Sequence, residues 1–350
     1  MTMSSRPSAA SDMPVVWMPA WFAEYIGVSL PPEGGNVSLQ GQPFVMRGGI
    51  LRSVCLLSSA QSQTAEAFCY KWHQRETFER PEQLHCVREW LLERYGDVTR
   101  EKWFLALGPA PLVLDAGCGG GMSAIELFGS ALKRLRYLGV DVSSAVEIAA
   151  ARFAERGFGG AFLQTDVTSI PVPLASVDVI FAEGVLHHTD SPQSTFEALT
   201  GLLKRDGRFL FYVYRKKGPI REFTDDYIRE KLQTLAPEAA WQALLPLTRL
   251  GKVLGELNVE IEVPEPIDML RIPAGRINLQ RFFYWHVAKA FYRADYTLDE
   301  MQHINFDWYA PKNAHRYTPE EVRAWCAKAG LIIERERIEE SGITIIAKKA

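Results

Sequence analysis

Between residues 111 and 214 the chain alternates short, almost continuously apolar runs with longer stretches in which apolar residues recur every three or four positions. The apolar runs are PLVLDAG (111–117), RYLGVD (136–141), AFLQTD (161–166), VDVIFAEG (177–184) and RFLFYVY (208–214). Among them, MSAIELFGSALK, AVEIAAARFAERG and QSTFEALTGLLKRDG carry the helical period. Strands alternating with helices at this spacing predict a parallel sheet with helices on both faces. A strand covered on two faces has no polar side to show, which is why these runs are apolar throughout.

The rhythm breaks after Tyr214 and resumes at TPEEVRAWCAKAG, where Thr318 is placed as an N-cap, Pro319 fits the first turn, Glu321 completes a capping box and Gly330 stops the helix. LIIERERI and GITIIAKK follow, joined through Glu340, Ser341 and Gly342, and predict an antiparallel hairpin at the sheet edge. The expected fold is α/β: a doubly wound, mostly parallel sheet of seven strands ending in that hairpin. Its core would be residues 106–214 with 318–350. Residues 215–317 read as a helical, aromatic-rich cap inserted after the fifth strand, with QRFFYWHVAKAFYRADY and HINFDWYAPKNAHRY as its densest aromatic stretches.

Before the core, residues 15–105 read as an N-terminal extension. Gly, Pro and short β-prone pieces such as FVMRGGILRSV suggest an irregular or hairpin segment up to about residue 60. From Ala65 to Tyr95 the pattern is helical; PEQLHCVREWLLERYG sets Leu84, Val87, Trp90, Leu91 and Leu92 on one face and stops at Gly96. Residues 1–14 read as a disordered tail without the basic and apolar regions of a secretion signal. There is no internal repeat.

Composition narrows the function classes. Lys and Arg number 39 against 42 Asp and Glu, so the net charge of −3 supplies no broad basic field for nucleic acid. Cys55, Cys69, Cys86, Cys118 and Cys326 are scattered without a CxxC pair, which argues against a disulfide scaffold or a structural metal site and suits a reducing cytoplasm. No apolar run is long enough for a membrane span.

The most informative stretch is VLDAGCGGG (113–121), a strand running into a glycine turn before a helix. The dinucleotide fingerprint GxGxxG would need glycine where Met122 stands, and the Walker phosphate loop would need a lysine that is absent. The stretch resembles motif I, VLDxGCGxG, of the class I S-adenosylmethionine-dependent methyltransferases, here of the bacterial small-molecule type. The likeness continues at Asp141, 26 residues after Asp115 at the end of the second strand, and at Asp166-Val167 after the third. It implies a Rossmann-like core and a cofactor site drawn from Asp115, Gly117, Cys118, Gly119, Gly121, Asp141, Val142, Asp166, Val167 and Glu183. Asp141 would accept from the ribose hydroxyls and Asp166 from the adenine amine, with S-adenosylhomocysteine as product. Singly, each feature also has a structural reading: a tight turn, or an acid at a helix N-terminus.

AFCYKWHQRETF (67–78) resembles the short FGxQW motif that folds over the cofactor in some of these enzymes, with Phe68, Tyr70 and Trp72 in the matching places and Lys71 where glutamine is usual. These aromatics are either a lid or the core of an N-terminal helix. The cysteine pairs of an upstream zinc module are missing, since residues 31–60 hold only Cys55, and no metal is expected.

After the fourth strand stands EGVLHHTD (183–190), in place of the [DN]PP[YF] of amino-methylating enzymes acting on adenine or glutamine. The resemblance puts His187 where some relatives hold a histidine that deprotonates the acceptor, and makes His188 mainly structural; the pair also reads as the end of a strand before a helix. Acceptor contacts are sought at Tyr70, His188, Tyr214, Arg215, Tyr284, His286, Tyr309 and His315, each of which has packing as its alternative. Arg215 belongs to a basic cluster with Lys216, Lys217 and Arg221 that either meets an anionic acceptor or is a solvated loop. The expected function is methyl transfer to oxygen or nitrogen of a small molecule, in specialised metabolism or glycan-related biosynthesis. The alternatives are a nicotinamide-dependent oxidoreductase and a non-catalytic cofactor-binding subunit; the cap could also pair two copies as a homodimer.

Overall fold

The computed structural model describes residues 18–350, so the tail expected over residues 1–14 lies outside the described residues. The chain enters through α1 (Ala20–Ile26), β1 (Asn36–Leu39), β2 (Gln42–Arg47) and β3 (Ile50–Ser53), then α2 (Ser59–His73), α3 (Pro81–Tyr95) and the short α4 (Lys102–Leu105). The alternating core follows as β4 (Leu112–Ala116), α5 (Met122–Phe128), β5 (Arg136–Asp141), α6 (Ala145–Glu155), β6 (Ala161–Gln164), β7 (Val177–Glu183), α7 (Pro192–Leu202) and β8 (Leu203–Tyr214). The cap comprises α8 (Pro219–Leu232), α9 (Pro237–Leu257), a ribbon of β9 (Glu260–Val263) and β10 (Gly275–Asn278), α10 (Leu279–His286) and α11 (Leu298–Tyr309). The chain closes with α12 (Pro319–Lys328), β11 (Leu331–Ile338) and β12 (Gly342–Lys349).

The main sheet has ten strands in the order β1-β2-β3-β6-β5-β4-β7-β8-β12-β11, which corrects the expected seven. The seven expected strands are present, and β12 and β11 form the antiparallel hairpin beyond β8. The three additional strands come from the N-terminal extension. β3 pairs parallel with β6 through Leu51 opposite Leu163 and Arg52 opposite Gln164, and β1 and β2 continue outward antiparallel. Without them β6 would present an unpaired edge. Phe44, Met46 and Leu51 join the same apolar layer as Leu138 and Leu163, so the extension is partly sheet rather than lid.

Two apolar layers sandwich the sheet. One holds Phe196 and Leu199 of α7 with Val322 and Trp325 of α12; the other holds Leu91 and Tyr95 of α3 with α5 and α6. Burying each such side chain contributes roughly 1.5–3 kcal/mol. The capping box at Thr318 and Glu321 forms as expected, and Thr297 with Glu300 makes a second one at α11. The cap has its own core, in which Trp241, Leu244, Phe306, Trp308 and Tyr309 pack on Tyr212 and Tyr214 at the end of β8. Among the described residues no helix is long and apolar enough to cross a membrane.

From β4 the chain builds β5 and β6 on one side and β7 and β8 on the other. That reversal opens a crevice at the carboxyl ends of the strands, the usual ligand position in open α/β sheets. The cap and α2 close it from above.

Candidate active site

A cavity of about 540 Å³ lies in that crevice, within the ~300–1,000 Å³ typical of small-molecule sites. Its floor on one side is the glycine loop. Gly117 and Cys118 turn both their amides onto Val140 O, at 2.7 and 2.9 Å. Gly119 has φ +50°, and a Cβ there would stand 2.7 Å from the indole nitrogen of Trp72. Glycine is therefore required twice over, by the backbone and by the Trp72 ring packed on it.

Asp141 ends β5 and faces the cavity. Its carboxylate accepts from Gly119 N (2.8 Å), Ser143 N (2.8 Å) and Ser143 Oγ (2.6 Å). Burial raises its pKa from the ordinary carboxylate value, opposed by those hydrogen bonds. Asp166, beyond β6, accepts from Thr168 N (2.8 Å) and Oγ1 (2.6 Å) through Oδ1, and its Oδ2 has no partner among the described residues. Val142 and Val167 line the cavity beside these acids.

Three of the expected cofactor contacts do not reach the cavity. Asp115 is buried under the loop, where it accepts from Tyr137 Oη at 2.6 Å, and burial pushes it up to about 7. It lies on a strand whose alternate residues face opposite sides, and its side has helices over it. Cys118 and Gly121 also lie off the cavity wall; Gly121 instead caps α5, with a Cβ's space filled by Ala149. Glu183 does line the cavity, but it is already engaged by Arg94 and by Tyr95 Oη at 2.6 Å.

On α2, Phe68, Lys71 and Trp72 face the cavity and Tyr70 does not. Residues 68 and 72 share a helix face, whereas residue 70 points nearly opposite; Tyr70 packs on Trp241 and Phe306 at 5.9 and 5.8 Å. Trp72 is wedged edge-on against Phe78 (4.9 Å) and His303 (5.7 Å). Lys71, the residue that departs from the usual glutamine, forms an ion pair with Asp307 of α11. Tyr214 Oη donates to the other Asp307 oxygen at 2.9 Å. Burial pushes the Asp307 carboxyl up, but Lys71, His188 and Lys289 outweigh it and hold the group well below the carboxylate range.

The adjacent histidines occupy a single turn of 3₁₀ helix, residues Leu186–His188. His187 is wholly buried with its ring on Tyr214 (3.7 Å between centroids), and neither ring nitrogen has a partner among the described residues. Burial, with His188 beside it, holds His187 far below the usual histidine value. It does not line the cavity, where it was expected; His188 is the one on the wall. His188 Nδ1 donates to Asn313 O at 2.6 Å, leaving Nε2 as the unprotonated nitrogen of the neutral ring, and Nε2 has no partner among the described residues. Burial lowers His188 to about 4.

Of the other acceptor candidates, Tyr214 and Tyr284 line the cavity. Arg215 does not; it donates to Glu339 O and to Glu340 at the hairpin, both at 3.3 Å. His286 packs on Phe282 away from the cavity, and Tyr309 Oη donates to Asp225 inside the cap core at 2.7 Å. His315 contributes its backbone amide to His187 O at 2.9 Å, pinning the turn rather than facing a ligand. The wall also contains Trp285, whose aromatic stretch reads as a pocket wall in the sequence, and Arg94, Lys289, His303 and Asp307, which were not expected. Trp285, Lys289, His303 and Asp307 fall in the two aromatic stretches of the cap, which was the available signal.

Residues 114–211 match the methyltransferase domain family. The chain carries a class I methyltransferase domain. The donor of such a domain is S-adenosylmethionine, and the cavity suits it: close-approach glycines, an acid at the end of β5 and a second, half-free acid after β6 open on one space. The methyltransferase domain has two curated relatives of note. The tRNA U34 carboxymethyltransferase of Methylococcus capsulatus is 30% identical over 98 residues, which is 28% of this chain and 30% of that protein. The uncharacterized methyltransferase YcgJ of Bacillus subtilis is 28% identical over 172 residues, 47% of this chain and 67% of that protein. The chain thus spans less than a third of the length of the first relative. Among solved structures, the likeness to the 1,6-didemethyltoxoflavin-N1-methyltransferase of Burkholderia thailandensis, determined with 1,6-didemethyltoxoflavin and S-adenosylhomocysteine, covers 91% of this chain and 100% of that one at 14% identity and a TM-score of 0.43.

Proposed function

We propose that the protein transfers the methyl group of S-adenosylmethionine to an oxygen or nitrogen of a small molecule held between core and cap. The observation that carries this reading is convergence: Gly117, Gly119, Asp141 and Asp166 border the same cavity as the aromatic wall of the cap. Bound S-adenosylmethionine supplies an electrophilic methyl on sulfonium; the acceptor's lone pair forms the new bond to carbon as the carbon–sulfur bond breaks. The chain's part is to hold the two partners in line and to exclude water, work that can supply ~7–11 kcal/mol. Phe68, Trp72 and the Lys71–Asp307 pair close the cofactor side against the cap.

For a hydroxyl acceptor a base must also take the proton, and His188 replaces His187 in that role. Its neutral ring presents Nε2 as acceptor, and Asp307 nearby favours the imidazolium that would form. A base placed this way contributes roughly 10²–10⁴ in rate. The net charge of −3 favours a small molecule over nucleic acid, and the reading puts the reaction in a cytoplasmic biosynthetic route, specialised or glycan-related.

Calorimetry with S-adenosylmethionine, S-adenosylhomocysteine and NAD is the first test: binding of NAD with none of S-adenosylmethionine would overturn the proposal. The second is release of S-adenosylhomocysteine across phenol, alcohol and amine acceptors. With an active phenol or alcohol, His188→Ala should lose at least a hundredfold in kcat. Full turnover in that variant would reject the base assignment.

A further inference from the structure

Resting on that reading, we propose that the methyl acceptor is a planar organic acid whose carboxylate is received by Lys289. The charges around the cavity show why. Asp141 and Asp166 belong to the cofactor side. Glu183 is held by Arg94 and Tyr95, Asp307 by Lys71 and Tyr214, and Glu93 and Glu339 by Arg337 at 3.3 and 2.9 Å. On the cationic side, Lys71 and Arg94 are thereby used, and Arg293 pairs with Asp295 at 2.7 Å.

Lys289 is different. It lines the cavity, is 7% exposed, and its ammonium makes no hydrogen bond or ion pair among the described residues. It lies over the Trp308 ring, 5.1 Å from the centroid. A nearly buried cation without a counterion is unfavourable, and an anion arriving from solution would remove that penalty. Burial lowers Lys289 to about 7, with Asp307 and Asp225 opposing and Arg221 and Lys71 adding to the shift; a bound carboxylate would restore its full charge. The backbone around it is fixed. Lys289 N donates to Asp225 Oδ1 at 3.4 Å, and Ala290 O accepts from Gln280 Nε2 at 2.7 Å. The ammonium therefore has a defined station rather than a mobile loop beneath it.

The shape of the wall indicates the rest of the molecule. Tyr284 and Trp285 stand edge to face at 4.5 Å, and Phe291 continues the same side of the cavity. Aromatic faces of this kind accept a flat ring. Arg281, whose guanidinium lies over Tyr284 at 5.7 Å, is the other wall cation without a carboxylate partner among the described residues. One unpaired ammonium and one guanidinium match a monoanion better than a phosphate dianion, which typically gathers several donors.

The test uses the full-length protein loaded with S-adenosylhomocysteine, and measures binding of 4-hydroxybenzoate, anthranilate and indole-3-carboxylate against their uncharged methyl esters. At pH 7 at least one acid should bind tenfold or more tighter than its ester, and Lys289→Met should reduce that preference to within twofold. Lys289→Arg should retain it. Equal binding of every acid and ester, no binding of any acid, or an unchanged preference in Lys289→Met would each overturn the proposal. Binding of S-adenosylhomocysteine to each variant is measured first. Its loss from the wild-type protein would instead refute the methyltransferase reading, and its retention in Lys289→Met shows the variant is folded.

Discussion

Replacing Asp307 by asparagine tests how α2 is held to the cap. In the wild-type protein Lys71 from α2 meets Asp307 from α11, and Tyr214 donates to the same carboxylate. The Lys71 side chain is 7% exposed and that of Asp307 26%, through its place on the cavity wall. An exposed pair contributes ~0–1 kcal/mol, whereas removing one partner of a fully buried pair costs ~3–5 kcal/mol. Exposures of 7% and 26% place Asp307→Asn between these limits, at about 2 kcal/mol, because Lys71 is left without its counterion. Lys71→Met should cost less, since Tyr214 still donates to the carboxylate. In the double variant no charge of the pair remains, so the two effects should fall short of adding by about 1 kcal/mol. Urea unfolding at pH 7 of the four proteins measures this coupling. The pH dependence has a definite sign: the folded pKa of Asp307 is depressed, so its contribution is complete above about pH 4, the unfolded value, and fades as pH falls through the folded one. The gap between wild type and Asp307→Asn should therefore narrow below pH 4. A coupling under ~0.5 kcal/mol, or a gap that widens in acid, would refute the α2–α11 pair as an energetic link.

Three further outcomes follow from the same site. Gly119→Ala should lose roughly 1–2 kcal/mol to the left-handed backbone and roughly 1–3 more to the displaced Trp72, with at least a tenfold weaker affinity for S-adenosylmethionine; unchanged unfolding and calorimetry would contradict the close approach. Asp166→Asn keeps an oxygen for Thr168 but replaces the free acceptor, so cofactor affinity should fall ten- to a hundredfold while stability stays within ~0.5 kcal/mol, read by calorimetry beside urea unfolding. His188 is lowered to about 4 by burial, against an unfolded value near 6.5. The unfolded chain thus binds more protons between those values, and stability should rise from pH 4 to 6.5 with a slope that His188→Gln reduces; an unaltered slope would remove His188 as its source.

The seven strands of the central sheet were legible because burial on two faces writes itself into a few consecutive residues, as in LVLDA and VDVIFAE. The helix at Thr318 was legible because a capping box is a four-residue signal. The cavity residues at the strand ends were readable to the same degree: Gly117, Gly119, Asp141 and Asp166 owe their positions to the ends of those strands. Pairings across long separations were not. β3 lies beside β6 because Leu51 and Leu163 share an apolar layer, a partnership 112 residues apart that leaves no periodic trace. Lys71 read as a departure from a motif until its partner, 236 residues on, was in view. The direction of a side chain was equally hidden in EGVLHHTD, where one turn of 3₁₀ helix sends His187 under Tyr214 and His188 to the cavity. The sequence by itself therefore determined the seven core strands, the glycine loop and the acids at the strand ends, since each is set by backbone periodicity and local sterics. Only the tertiary structure decided which histidine faces the site, what Lys71 holds and where Lys289 stands, because each depends on which remote segment packs against it.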